Sequence, residues 1–325
     1  MSITQDELDS LTRIIPSLRR AMTEAIEKSD PLYGESLIVS SDGREIPLWL
    51  YRPLTGHPAP LLVYLHGGGF ALGDARRSDA LLDWTCRTYG AFVLSINYRL
   101  APEYPYPSAL DDIDASISWC ILHAHELGID PRRIYLMGFS AGADLALASA
   151  IKLRHCSNLI IAGIIAHYPF FDCATDPSCK GERALDLPIT MMQAFNIWYC
   201  GDHDPQNPLI SPLYASTEQL AKLPPVIMMP VVGDSLFNEA ETLAIHIRDA
   251  GGVCMFKPVD GAYHGYIEDA ANEQVYRATE FPEVIDARPH QYCEAAGRAY
   301  VFALEVFFNR SNNAKSFTGF DRKRA

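Results

Sequence analysis

"RIYLMGFSAGADLALASA", residues 133–150, decides the fold of this chain. Its first half, through Phe139, is an apolar run of strand type, and its second half is an Ala- and Leu-rich stretch of helix type. Between them stands Gly138-Phe139-Ser140-Ala141-Gly142, a G-x-S-x-G pattern. A sharp strand-to-helix turn brings neighbouring backbone too close for side chains at 138 and 142. It holds Ser140 at the top of a sheet, hydroxyl exposed, with a helix N-terminus behind it that favours developing negative charge. The pentapeptide alone also describes a small serine in a glycine-rich loop. The strand before it and the helix after it are what make it specific.

Working outward, short apolar runs recur at 37–41, 46–51, 61–65, 91–98, 133–139, 161–168, 226–232 and 253–259. From the third onward they are nearly continuous in apolar residues, as expected of strands covered on both faces. Helical stretches fall between them at about 77–89, 108–126, 141–154 and 237–250, with another at about 288–308 after the last strand. This alternation predicts an α/β fold with a mostly parallel, eight-stranded sheet and right-handed crossovers. "SDGRE" between the first two strands reads as a hairpin at one edge. Two segments break the rhythm: residues 1–35, with Leu8, Leu11, Ile14, Ile15 and Leu18 at helical spacing, and residues 172–225, which include "ITMMQAFNIWY" at 189–199. They read either as a lid over the sheet or as ordinary core helices.

A serine hydroxyl needs a base to act as a nucleophile. "GAYHGY" (261–266) places His264 in a loop just past the last predicted strand, where a hydrogen-bonded loop histidine is the plain alternative. The order serine, acid, histidine favours the base. Asp234, directly after "VIMMPVV", is the preferred acid to orient the imidazole; Asp172 also follows a strand and competes, and Asp260 lies too close to His264 in sequence. "YLHGGGF" (64–70) follows a central strand and offers unencumbered amides, so Gly67, Gly68 and Ala141 are the candidate oxyanion donors. No G-K-S/T follows, which argues against a nucleotide loop, and His66 reads as structural. Phe70, Trp198, Tyr199 and Tyr266 read equally as substrate-pocket or as packing residues, and Phe139 is a further pocket candidate.

With these residues in hand, the chain resembles the hormone-sensitive-lipase-like family of α/β-hydrolase esterases. The likeness runs from about 45 to 270 and rests on "HGGGF" (66–70), "NYRLAPEYPYPSALDD" (97–112), "DPRRIYLMGFSAG" (130–142), "NPLISPLYA" (207–215), "LPPVIMMPVVGDSLFNEA" (223–240) and "GAYHGY" (261–266). The resemblance implies Ser140, His264 and Asp234 as a triad, with the amides of Gly67, Gly68 and Ala141 around the oxyanion. It further implies N-terminal cap helices at 1–35 and a catalytic domain at 36–310 with a cap insertion at about 172–225, leaving 311–325 as a polar tail. Phe139 departs from the aspartate usual before the serine, and Ala143 and Asp144 stand where Gly and Asn are common.

The rest of the composition narrows the function. A net charge of −13 argues against nucleic-acid binding, which needs clustered Lys and Arg. No apolar run reaches membrane-spanning length, and "MSITQDELDS" lacks the features of a secretion signal, so a cytoplasmic protein off the membrane is expected. The eight cysteines are scattered without a CxxC and read as reduced thiols, with Cys173 and Cys179 as the one local pair close enough to bridge. His123 and His125, two apart on a helix, make a poor metal site. No metal or organic cofactor is expected. The leading function is a serine carboxylesterase for short-chain esters of small molecules, with acylated-sugar deacetylases or feruloyl esterases, an arylformamidase-like amidase and a non-catalytic ligand-binding protein as alternatives. The oligomeric state stays open, a homo-oligomer included.

Overall fold

The computed structural model describes residues 3–28, 32–54, 58–154, 160–181, 188–271 and 292–308. The predicted polar tail and most of the segment between His264 and the last helix lie outside these residues. One eight-stranded sheet forms the centre, from β1 (Glu35–Ser41), β2 (Arg44–Tyr51), β3 (Ala59–Leu65), β4 (Phe92–Ile96), β5 (Ile129–Phe139), β6 (Ile161–His167), β7 (Val226–Met229) and β8 (Cys254–Phe256). The spatial order is β1-β2-β4-β3-β5-β6-β7-β8. β2 pairs antiparallel with both β1 and β4, and every other pairing is parallel. The expected edge hairpin is present: Asp42 (φ 51°) and Gly43 (φ 77°) form its turn, both left-handed as a tight two-residue connection requires.

The helices, in chain order, are α1 (Gln5–Glu27), α2 (Asp79–Tyr89), α3 (Ser108–Leu122), α4 (Ala124–Leu127), α5 (Ala141–Leu153), α6 (Ile189–Cys200), α7 (Thr217–Ala221), α8 (Phe237–Asp249), α9 (Tyr266–Ala271) and α10 (Tyr292–Phe308). The predicted 108–126 helix breaks at His123 into α3 and α4. β3 shows why the sheet is covered on both sides. Leu61, Val63 and Leu65 join α3, α5 and α8 in one apolar cluster, while Leu62 and Tyr64 join α2 and α10 in the other. The α5 helix is apolar nearly all round and buried on nearly every face, Asp144 included.

Outside these two layers, α1 and α6 pack on each other. Ile15 of α1 meets Met191, Ala194, Phe195 and Trp198 of α6 in a separate apolar cluster, and Trp198 Nε1 donates to Thr12 Oγ1 at 3.1 Å. Arg19 fastens α1 to the body through the Ala71 carbonyl at 2.8 Å, the Ala101 carbonyl at 2.5 Å and Glu103 at 2.8 Å. No helix among the described residues is long and apolar enough to cross a membrane.

Candidate active site

The carboxyl ends of β3, β5, β7 and β8 all open toward the same point, where parallel α/β sheets carry their ligands. At the tip of β5, Ser140 takes φ 52° and ψ −120°, a strained conformation for a residue with a side chain. Its N–H donates to the His167 carbonyl at 3.0 Å, and its own carbonyl accepts from Ala143 at 2.9 Å. The two flanking glycines are required sterically. A Cβ on Gly138 would meet the Gly142 carbonyl oxygen at 2.0 Å, and one on Gly142 would meet the Leu65 carbonyl oxygen at 2.1 Å.

His264 Nε2 lies 2.8 Å from Ser140 Oγ, and its Nδ1 lies 2.7 Å from Asp234 Oδ2. Asp234 Oδ1 accepts the Leu236 N–H at 3.0 Å, which fixes the carboxylate in its loop after β7. The parallel bridge between Val231 and Val259 carries the sheet beyond β7 and β8 and brings the two loops side by side. Asp172 is elsewhere engaged: its Oδ1 accepts the Ala174 and Thr175 amides at 2.8 and 3.0 Å, and its carbonyl takes the Lys180 ammonium. Asp260 is exposed and accepts the N–H of Gly261. Ser140, His264 and Asp234 therefore meet, and the two other acids do not join them.

The glycine loop differs in one respect from its sequence reading. The Gly67 N–H donates to Glu268 Oε1 at 3.1 Å, so this amide is already taken. Gly68, Gly69 and Ala141 line the cavity beside Ser140, and among the described residues no acceptor is found for their amides. The loop is left-handed at Gly68 (φ 123°), Gly69 (φ 58°) and Phe70 (φ 62°). His66 shapes it from beneath, as its structural reading expected. Its ring stacks on Tyr98 at 4.2 Å, and Nδ1 lies 2.8 Å from the Gly67 carbonyl. Burial lowers its pKa, which keeps the imidazole neutral.

The cavity encloses about 130 Å³. Leu18 and Met22 of α1, with Met191, Met192 and Phe195 of α6, form its apolar roof. Of the five predicted pocket residues only Phe70 lines it. Tyr199 stacks behind Phe70 at 3.7 Å, and Trp198 turns toward α1. Phe139 and Tyr266 are buried in the core on the α2/α10 side. Their side chains pack rather than face the cavity. The roof comes from the two segments that the sequence reads as a lid or as core helices, and the side chains that sequence reading missed are the polar wall of Arg77, Glu268 and Asp269. The helical stripe Leu8-Leu11-Ile15-Leu18 marked α1 as amphipathic; no motif marked Glu268. Cys173 and Cys179 are unbridged, as are Cys86, Cys120, Cys200 and Cys254.

The α/β hydrolase fold family matches residues 62–268, which spans the glycine loop, the elbow and both the Asp234 and His264 loops. The chain belongs to this family. Its match to carboxylic ester hydrolase LipN of Mycobacterium tuberculosis is 34% identical over 242 residues, covering 71% of this chain and 63% of that protein. An arylesterase of Saccharolobus solfataricus is 28% identical over 258 residues, covering 77% of this chain and 83% of its own. The thermostable esterase from Pseudomonas putida ECU1011 superposes with a TM-score of 0.73 at 22% identity, over 95% of this chain and 99% of that one, a likeness of fold. The α/β hydrolase sheet thus extends to both edges, and the family resemblance carried by the motifs holds.

Proposed function

We propose that this α/β hydrolase is a serine carboxylesterase that cleaves short-chain acyl esters of small molecules. The observation that carries the reading is the unbroken relay from Asp234 through His264 to Ser140 at the wall of a small cavity. Its relatives named as an ester hydrolase and an arylesterase support the same reaction class.

In this mechanism Ser140 Oγ forms a bond to the ester carbonyl carbon while its proton passes to His264 Nε2. Asp234 holds the Nδ1–H tautomer and stabilises the imidazolium. The carbonyl oxygen gains the electron pair of the broken π bond and is held by the amides of Gly68, Gly69 and Ala141. As the intermediate collapses, the C–O bond to the alcohol breaks and His264 returns the proton to the leaving oxygen. Water, deprotonated by His264, then attacks the acyl-enzyme, and the acid leaves as Ser140 regains its proton.

The acyl group fits by size. A cavity of about 130 Å³ is close to the ~150 Å³ that accommodates one benzene ring, which suits acetyl to butyryl chains. We assign α1 and the 172–225 segment the role of a cap over this space, because both line it and hold each other. The unbridged thiols suit a reducing compartment such as the cytoplasm.

The test is a series of initial rates on 4-nitrophenyl esters from acetyl to dodecanoyl, with wild type and Ser140→Ala. A maximum at acetyl or butyryl that disappears in the folded variant supports the reading. Unchanged rates in Ser140→Ala overturn it, and failure of wild type on every ester moves the assignment to amide bonds.

A further inference from the structure

Outside the relay, one acid is aimed at its machinery. Glu268 lies on α9, four residues after His264, and is only 3% exposed. Its Oε1 accepts the Gly67 N–H at 3.1 Å and the Tyr64 hydroxyl at 3.4 Å, and its Oε2 accepts the Tyr168 hydroxyl at 3.5 Å. Burial, reinforced by this carboxylate, raises both phenols well above their ordinary pKa and keeps them as O–H donors. A Cβ on Gly67 would stand 2.7 Å from Glu268 Oε2, so glycine there lets the carboxylate reach the loop backbone. The same point is 3.2 Å from the Phe139 carbonyl and 3.4 Å from Ser140 Cβ, which puts the contact directly beside the nucleophile. Phe139 offers no carboxylate to this spot; Glu268 brings one from a different element. The next residue, Asp269, pairs with Arg77 at 2.9 Å and clamps α9 onto the chain that follows β3.

A run of three glycines has no side chains to fix its direction and the largest backbone freedom of any residue type. Its carboxyl side is held by the Ala71 and Leu72 amides, which donate to the Gly68 carbonyl at 3.1 and 2.8 Å. On its amino side the Gly67 N–H is held by Glu268 alone among the described residues. The Gly68 amide, which finds no acceptor among the described residues, lies between these anchors in the same peptide unit as the Gly67 carbonyl that His66 Nδ1 approaches at 2.8 Å, and the Gly69 amide shares its peptide unit with the anchored Gly68 carbonyl. Gly265 alone separates His264 from α9, so the same carboxyl group joins the donor loop to the base loop.

We propose that Glu268 is a positioning residue for the ester cleavage: by holding the Gly67 amide it aims the Gly68 and Gly69 amides at the oxyanion and sets that aim relative to His264. The inference rests on the esterase reading above. Its test compares Glu268→Ala, Glu268→Gln and Glu268→Asp in the full chain. The readouts are kcat per active site (titrated with a phosphonate), KM for 4-nitrophenyl butyrate and inhibition by a trifluoromethyl ketone that adds to serine. Losing one oxyanion donor outright costs about 10²–10³ in kcat, so a mis-aimed pair is expected to cost roughly 10–100-fold. That loss should appear in Glu268→Ala with KM within about twofold, and ketone affinity should fall in parallel with kcat. Glu268→Gln keeps an acceptor oxygen and should recover to within roughly fivefold of wild type. Glu268→Asp keeps the charge but withdraws it by one methylene, so it repeats the loss and stands in if the alanine variant does not fold. A kcat per titrated site within about threefold of wild type in the Ala or Asp variant overturns the proposal, as does a Gln variant no better than Ala. A wild type without Ser140-dependent turnover sinks the esterase reading instead.

Discussion

Gly142→Ala is the perturbation that ties fold to chemistry most tightly. A Cβ at 142 would sit 2.1 Å from the Leu65 carbonyl oxygen, 2.6 Å from that of His66 and 2.7 Å from the Leu65 carbonyl carbon. All three are backbone atoms, so no side chain can swing aside. Real Cβ contacts stay above 3.0 Å, and reaching that limit takes at least 0.9 Å of separation (3.0 less 2.1). The atoms that must part are the start of α5, which carries Ser140 and Ala141, and the end of β3, which feeds the glycine loop. The substitution therefore pulls the nucleophile away from its oxyanion donors. A misplacement of about 1 Å costs on the order of 10²-fold in rate, while overpacking of this kind costs about 1–3 kcal/mol in stability. We expect kcat/KM on 4-nitrophenyl acetate to fall about 100-fold in protein that remains folded by circular dichroism. Gly43→Ala is the control. It forces a left-handed residue at φ 77° with nothing within 4 Å, so it should cost about 1–2 kcal/mol and leave activity unchanged. A folded Gly142→Ala variant within threefold of wild type would refute the steric reasoning.

Asp144→Asn tests the buried acid behind the elbow. Both carboxyl oxygens of Asp144 are buried without a hydrogen-bond partner among the described residues, and burial, with the Glu239 charge next, raises its pKa well above 3.8. The folded state keeps the proton while the unfolded chain loses it above 3.8, so stability is present below that pH and falls as pH rises. The slope is about 1.4 kcal/mol per pH unit until the folded pKa is passed. Asn carries no such slope, so the thermal midpoint of the variant should gain on wild type between pH 4.5 and 7; a gap that is constant across this range contradicts the account. Asp234→Asn should lower kcat by about 10⁴-fold, and Asp172→Asn, which only loosens the cap on the Ala174 and Thr175 amides, should stay within roughly tenfold. The reverse order in steady-state rates would move the acid to 172. Leu18→Ala removes part of the roof, so the ratio of octanoyl to acetyl ester rates should rise several-fold, and an unchanged ratio would take α1 out of the acyl pocket.

How far the sequence could be read depends on whether a feature is written in local pattern or in three-dimensional direction. The succession of strands and helices and the Ser140 turn are local, written in continuous apolar runs, a G-x-S-x-G break and a helix-forming stretch, whereas the crossed spatial order β2-β4-β3 is not. Asp234 was separable from Asp172 because β7 neighbours β8, whose loop holds His264. What ties Asp172 down, its amide contacts, leaves no trace in the sequence. The pocket was hard to read for a different reason. The α6 helix is apolar on almost every face, so periodicity cannot say that Met192 and Phe195 line the cavity while Trp198 turns toward α1. The glycine loop has the same difficulty in its backbone. Which of three successive amides is already taken follows from φ and ψ and from Glu268, an acid 201 positions away that no motif marks.

Covalent labelling shows whether the serine at the tip of β5 is the nucleophile. The folded chain is treated with a 4-nitrophenyl alkylphosphonate and read by intact mass and peptide mapping. The account requires one adduct per chain, located at Ser140 within the 133–150 stretch, with release of one nitrophenolate and parallel loss of ester hydrolysis. Labelling should be absent in Ser140→Ala and strongly slowed in His264→Ala. An adduct on another residue, or full ester hydrolysis by protein blocked at Ser140, would contradict it.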